Sequence, residues 1–458
     1  MGKRGLAAVM ACMMIVSATA GCSNTGTETE TVHTESNEEN VSQQETPLQN
    51  TEENGNAEAE NKEGKIILNW LATYLDQDVV RQYADEYNQS QDEIYVEVAD
   101  ATFGSSTDYY EALAVNIASG DSYDLFSMSA TYLDKYISSQ IAYCVDDYIL
   151  GNDDVKDYAQ EAVIRNGHAY AFPATNDVIG LFVNLDMLEE SGHTTDDLNT
   201  WGGMVEAAAD ISNHFGNYGC LTDLGFGGGY AEFLWYATMW GAGGNITADL
   251  DGNITVTNPE KIAAAAIAYR DLITGSGGST EFNNDIDYFI NETCGMDIIG
   301  QDGLYKVDEG NVGFEWTFVP IPPLSEGGQA YSPLGGWHIM INGKGEHAKE
   351  AAEFLNWLYF ESNYVADECL ANYQLSPLVS ADENLDALYK DTKFSLAYEL
   401  IDSGAIECRA ELAFDSKVLE AIGEMLSGII YETSTEEEAV NLVNEFISKV
   451  GAQTVEEN

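Results

Sequence analysis

The sequence predicts an α/β protein folded in two lobes, and three observations carry that reading. The chain has 458 residues, more than one hydrophobic core ordinarily serves, so two domains are expected. Strand and helix patterns alternate from Lys65 onward, the mark of a mostly parallel sheet with helical crossovers. The stretch Asn166–Gly192 sets two extended runs on either side of Pro173, as in a chain that leaves one sheet and enters another.

Taken in order, Ile66–Leu71 (IILNWL) is a nearly unbroken apolar run and reads as a strand buried on both faces. Val79, Tyr83 and Tyr87, spaced by four, predict a helix over 78–88. Ile94, Val96 and Val98 alternate as a second strand. Asp108 and Glu111 have the spacing of a capping box for a helix that Gly120 stops, and a third strand follows at 123–128. After a turn at Asn166-Gly167, Val178–Val183 enters the second lobe. Thr200 caps a helix whose apolar face is Trp201, Met204, Val205 and Ala208. A hairpin turns at Asp251-Gly252. Asn258-Pro259 opens an Ala-rich helix ending at Gly275, with Asn as its cap. Met296–Ile299 and Trp337–Ile341 read as strands, and Phe318–Pro323 is extended because its prolines forbid a helix. Ala348, Ala351, Leu355 and Leu358 share one helix face. Ser434 and Glu437 box a last helix with Val443, Phe446, Ile447 and Val450 as its buried stripe.

The N-terminus reads as a targeting segment over 1–21. Lys3 and Arg4 precede the apolar run Leu6–Val16, which is too short to span a bilayer. Ala20-Gly21-Cys22 resembles the lipobox of bacterial lipoproteins, where the Cys is acylated (palmitate and related chains) and becomes the new N-terminus. Residues 22–64 follow with eleven Glu, one Lys and no apolar periodicity, a composition expected to stay disordered as a tether. Net charge is −60; with +2 on residues 1–22 and −10 on 23–64, −52 remains on the folded body. So acidic a surface repels nucleic acid and anionic lipid headgroups.

Beyond Cys12 and Cys22, five cysteines remain: Cys144, Cys220, Cys294, Cys369 and Cys408. No pair has metal-ligand spacing, so no metal or cofactor is expected; a disulfide and buried free thiols both stay open. Asp249, Asp251 and Asn253 hint at a calcium loop, but a hairpin turn accounts for them better. No G-x-S-x-G elbow, H-E-x-x-H or Walker loop occurs, and the protein is read as a non-enzyme.

Further motifs recur in a recognisable order. They are His168-Ala169-Tyr170-Ala171-Phe172-Pro173, Gly180-Leu181-Phe182-Val183-Asn184-Leu185-Asp186, Thr200-Trp201, Ala242-Gly243-Gly244, Met296-Asp297-Ile298-Ile299-Gly300, Val319-Pro320-Ile321-Pro322 and Leu334-Gly335-Gly336. Over residues 65–455 this order resembles the extracellular solute-binding protein family 1, the maltose-binding-protein-like receptors of ABC importers. The resemblance implies a two-lobe, periplasmic-binding-protein-like α/β fold of type II with a multi-crossing hinge. An N-lobe over 65–174 with 335–380 would close on a C-lobe over 177–330 with 385–458. It implies a small-molecule ligand, docking of a monomer on a membrane permease, and lipid anchoring on the extracellular face. A secreted glycoside hydrolase and a cell-surface sensor or adhesin of the same fold are the alternatives.

A sugar presents apolar ring faces and hydroxyl edges, so its site needs flat aromatic platforms and a few polar groups in a cleft. The chain has 7 Trp, 26 Tyr and 16 Phe. Trp70 at the end of the first strand, Trp235 and Trp240 in the aromatic run, and Trp337 after Gly-Gly are the candidate platforms, with core packing as the alternative for each. Ser129 and Thr131 at the third strand's end, Asn176 and Asp177 at the hinge, and Asp302 after Gly300 are the candidate polar contacts. A turn residue is the alternative for Asp177, and a solvated surface carboxylate for Asp302.

Overall fold

The computed structural model describes residues 62, 64–99, 106–120, 123–227, 229–277, 286–389, 392–410, 412, 414–432 and 435–456. The targeting segment, Cys22 and most of the tether lie outside the described residues, as does Ser434.

Eleven strands frame the site. They are β1 (Ile66–Leu71), β2 (Ile94–Val98), β3 (Leu125–Ser129), β4 (Phe172–Pro173), β5 (Ile179–Asn184), β6 (Tyr218–Thr222), β7 (Cys294–Gly300), β8 (Trp316–Val319), β9 (Ala330–Leu334), β10 (Trp337–Ile341) and β11 (Ile406–Ala410). The first sheet runs β2-β1-β3-β10-β4, with β1 parallel to β2 and β3, and β10 antiparallel to both its neighbours. The second runs β8-β5-β7-β6, and β9 pairs with β11 in a short parallel ribbon.

Every residue of β5 is buried, so both faces of the second sheet are covered. The period of two divides its side chains. Phe182 packs with Phe289, Trp316 and Phe318, while Ile179, Leu181 and Val183 face the helices that carry Met204, Ile211 and Trp235. Phe182 belongs to the same apolar cluster as Trp70 and Phe126 of the first sheet and Phe354 on the helix Ala348–Phe360.

Two joins run side by side between the sheets. β4 ends at Pro173, and Ala174–Val178 leads into β5; Gly335-Gly336 leads from β9 back to β10. The strands are pinned where they pass: Asp177 bridges Gly335, and Asn176 bridges Leu375. Gly336 has φ +122°, and a Cβ there would stand 2.1 Å from the Thr175 carbonyl oxygen, so only glycine fits this crossing.

Local signals were read with small shifts. The first helix is Gln77–Ser90, capped by Asp76, and the third strand sits at Leu125–Ser129. Thr200 caps Trp201–Phe215 as expected, its hydroxyl oxygen accepting from Gly203 N–H at 3.2 Å. Asn258 precedes the helix Pro259–Gly275 but does not cap it: its backbone is left-handed (φ 52°), and its amide donates to the Gly243 carbonyl at 2.8 Å. The last helix, Glu436–Val450, is boxed by Thr435 and Glu438, one residue beyond the pair expected, because adjacent Ser/Thr and consecutive Glu satisfy the spacing in two registers. Asp249 accepts from the Asp251 and Asn253 backbones, which makes it a turn residue of the hairpin. The five described cysteines are all free thiols.

Candidate functional site

The carboxyl ends of the parallel strands β1 and β3 and the start of β10 meet at one edge of the first sheet. Ligands of α/β proteins gather at such edges. After β1 the chain turns through Tyr74, whose φ of 68° is unusual for a bulky residue. Its ring stacks on Trp337 with centroids 4.2 Å apart and planes 11° apart, and Tyr109 meets its edge at 5.5 Å. Trp337 stands in register with Ser129 on β3. The Ser129 and Thr131 hydroxyls lie 2.8 Å apart, and Ser129 N–H donates to the Tyr110 hydroxyl at 2.9 Å. The Tyr110 ring in turn stacks on Tyr132 at 3.5 Å. The edge is therefore a strip of aromatic faces with two hydroxyls beside it.

The crossing strands and the second lobe supply the acidic side. The Asp177 carboxyl accepts from Gln374 at 3.3 Å and presses on Gly335, where a Cβ would come within 2.1 Å of its Oδ1. Burial, then the neighbouring charge of Asp302, raise its pKa to about 7, against the pull of the Gln374 hydrogen bond. Asp302 folds back on Gly300, where a Cβ would come within 2.7 Å of its Oδ1, and the Tyr230 hydroxyl stands at the same glycine. Loss of solvation raises Asp302 as well, with Lys306 opposing, and raises the Tyr230 phenol, helped by Asp302 and Asp177. Water reaches both Asp302 and Tyr230, yet protein surrounds them closely enough to cost them solvation. Asp302 and Tyr230 thus form an acidic and aromatic wall at Gly300. Phe233, one turn along the helix Tyr230–Ala242, stacks on Tyr230 and reaches Gly335, joining this wall to the crossing.

The expected residues divide accordingly. Trp337, Ser129 and Thr131 come together at the first sheet's edge, and Asp177 beside the crossing feels the charge of Asp302. Four other expected residues lie in packed surroundings instead. Trp70 is fully buried, with Phe354 and Tyr364 against its ring edges, because its strand has both faces in the core. Trp235 is fully buried because its helix is apolar all round and packed on every side. Trp240 lies ten residues past Tyr230, about 15 Å along the helix, and is closed off by Asn245, Tyr331 and Arg409. Asn176 is buried in the crossing, its backbone paired with Leu375 and its amide donating to Gly335 at 3.4 Å. Tyr74, Tyr230, Phe233 and Gln374 were not expected. Tyr74 follows a strand end, a usable signal; the other three are placed only by the tertiary fold.

A two-lobe α/β architecture with crossing strands, an aromatic sheet edge and an acidic wall is that of the hinged binding proteins. Residues 75–364 match the family described as bacterial extracellular solute-binding protein, and the chain belongs to that family. It is similar to the maltotriose-binding protein of Pyrococcus abyssi (strain GE5 / Orsay), 24% identical over 66% of this chain and 63% of that one. It is similar also to the lactose-binding protein of Rhizobium radiobacter, 25% identical over 44% of this chain and 48% of that one. The chain thus spans less than two thirds of the length of these relatives. Its fold matches the crystal structure of the cyclic alpha-maltosyl-1,6-maltose binding protein from Arthrobacter globiformis, with a TM-score of 0.68 and 18% identity, covering 84% of this chain and 99% of that one. No helix among the described residues is long and apolar enough to cross a membrane.

Proposed function

We propose that this protein is the lipid-anchored, extracellular substrate-binding component of an ABC importer. In this reading it captures a small solute, an oligosaccharide, between two closing lobes and catalyses nothing. The observation that carries the reading is the Tyr74–Trp337 stack at the sheet edge, with the Asp177–Asp302 pair at the adjoining crossing. A flat aromatic face suits the apolar face of a pyranose, and desolvated carboxylates suit its hydroxyl edge. The names of the relatives, maltotriose-binding and lactose-binding, point the same way. The lobes are assigned as 65–174 with 335–380 and 177–330 with 385–458. Cys22 carries the lipid, and residues 22–64 give the domain reach above the membrane. A monomer in closed form would dock on the permease subunits.

A thermal-shift screen of the mature chain against maltooligosaccharides, lactose, peptides and polyamines tests this, because a ligand bound only by the native state raises the unfolding temperature. A shift with a saccharide that is recovered intact, together with a smaller radius of gyration in solution scattering, is the expected result. Release of reducing ends, or a shift only with a non-saccharide, overturns the reading.

A further inference from the structure

Away from the cleft, the fold brings together three side chains that the proposed function does not use: Cys144, Asp146 and His168. One donor atom from each lies within 4.8 Å of the others. Asp146 opens the short helix Asp146–Ile149, and His168 lies 22 residues on, in the hairpin strand His168–Ala169. The frame is fixed by backbone. Val145 N–H donates to the Ala169 carbonyl at 2.8 Å, and Ala169 N–H donates to Asp146 Oδ1 at 2.7 Å. That second bond orients the carboxylate, as outer-sphere partners of metal-binding carboxylates do. The other oxygen, Oδ2, meets His168 Nδ1 at 2.7 Å. Asp146 is the hub of the three: His168 pairs with its carboxylate, and the exposed Cys144 thiol hydrogen-bonds to it as well.

We propose that Cys144, Asp146 and His168 form a binding site for a borderline-soft divalent transition-metal ion of the zinc type. The donor set is one sulfur, one nitrogen and one oxygen. Thiolate and imidazole together select against Ca²⁺ and Mg²⁺, which prefer all-oxygen shells. Around a tetrahedral Zn²⁺ the donor atoms stand about 3.3–3.7 Å apart, given bonds of about 2.0–2.3 Å. The Asp146–His168 contact opens by under about 1 Å to reach that spacing. On binding, the thiol releases its proton to solvent, and the imidazole keeps its one proton on Nε2 while Nδ1 ligates. Three protein ligands leave the fourth position to water, the arrangement of an open site.

The test uses the mature chain and Zn²⁺ itself in equilibrium dialysis, alongside Cys144→Ser and His168→Ala. Both positions are exposed, so both variants should fold; Asp146 is left intact because it ties Ala169. One Zn²⁺ per chain is expected, weakened by at least about tenfold in each variant, the lower end of what losing even an outer-sphere partner costs. With Co²⁺ a thiolate-to-metal charge-transfer band should appear, and it should vanish in Cys144→Ser. No saturable site in the parent chain overturns the proposal. So does binding that ignores both substitutions, which would be diffuse attraction to the acidic surface. A cobalt band that survives Cys144→Ser also overturns it, and decides the matter by itself if His168→Ala fails to fold.

Discussion

The Tyr74 ring lies flat on the Trp337 indole, 4.2 Å from centroid to centroid and 11° from parallel, at the edge where β1, β3 and β10 meet. Each ring fixes the other, so a ligand would meet a rigid platform and lose little to side-chain ordering. Trp337→Ala is expected to weaken saccharide binding by at least about 1 kcal/mol, the scale of one aromatic contact beyond simple burial. Tyr74→Ala should weaken it less, by loosening the indole. Titration calorimetry on both variants checks this; wild-type affinity in a folded Trp337→Ala protein would remove the platform from the site.

Trp240 should behave in the opposite way. Its ring is covered by Tyr331 and by the Arg409 guanidinium 5.6 Å from its centroid, and its indole N–H donates to Asn245 at 3.0 Å. Trp240→Ala therefore opens a cavity in the core that packs on the second sheet. Loss of about 3–5 kcal/mol of stability is expected, with ligand affinity unchanged in the folded fraction. Urea unfolding and calorimetry separate the two effects.

Asp177 makes stability and binding depend on pH with opposite signs. Its folded pKa of about 7 stands above the ordinary carboxylate value, so between about 4 and 7 the folded state holds a proton that the unfolded chain has released. The stability it contributes is full below that window and is lost as pH rises through about 7. A sugar hydroxyl donating to the carboxylate favours the ionised form, so affinity should rise over the same interval. Asp177→Asn should be the more stable protein at pH 8, by on the order of 1 kcal/mol, with a flat affinity profile. Unfolding and binding at pH 5, 6.5 and 8 check both halves.

Much of the fold was legible because its signals are local. The unbroken apolar runs of β1 and β5 declare strands buried on both faces, and Thr200 before Trp201 declares a helix start. The site was less legible, because a tryptophan's composition does not say which way its ring points. Trp70 and Trp337 both lie on strands of the first sheet near its ligand-facing edge, yet Trp70 turns into the core against Phe354 while Trp337 turns out onto Tyr74. The cluster of Cys144, Asp146 and His168 was invisible for a related reason: a turn and a hairpin bring together residues that share no motif.

Gly336→Ala should injure the crossing itself. Its φ of +122° is a region side chains avoid, and the new Cβ would press on the Thr175 carbonyl and the Asn176 backbone. Because this join holds Thr175 to Trp337 through the bond from Trp337 N–H to the Thr175 hydroxyl at 3.1 Å, strain there also displaces the indole. A loss of at least about 1–3 kcal/mol is expected, with weaker ligand binding in whatever folds. Unchanged unfolding midpoint and affinity would show that the join tolerates a side chain.

His338 should shape the acid limb of stability. It follows Trp337 on β10 and points to the opposite face, where it is buried with neither ring nitrogen hydrogen-bonded among the described residues. Burial, assisted by the nearby Arg165 charge, pushes its pKa down to about 3. The unfolded chain protonates first as pH falls, near 6.5, so stability present above 6.5 drains away between 6.5 and 3. Over pH 4–6.5 this slope opposes that of Asp177, and the parent protein should show a shallow profile there. His338→Leu removes the imidazole slope and a buried polar group without a partner. It should gain about 1 kcal/mol at pH 7, and its stability should then rise as the medium is acidified from pH 6.5 to 5, following Asp177 and the other carboxyls that burial raises, Asp302 among them. Urea midpoints across that range decide it; a variant whose acid limb matches the parent's would show that the imidazole is not what the folded state keeps uncharged.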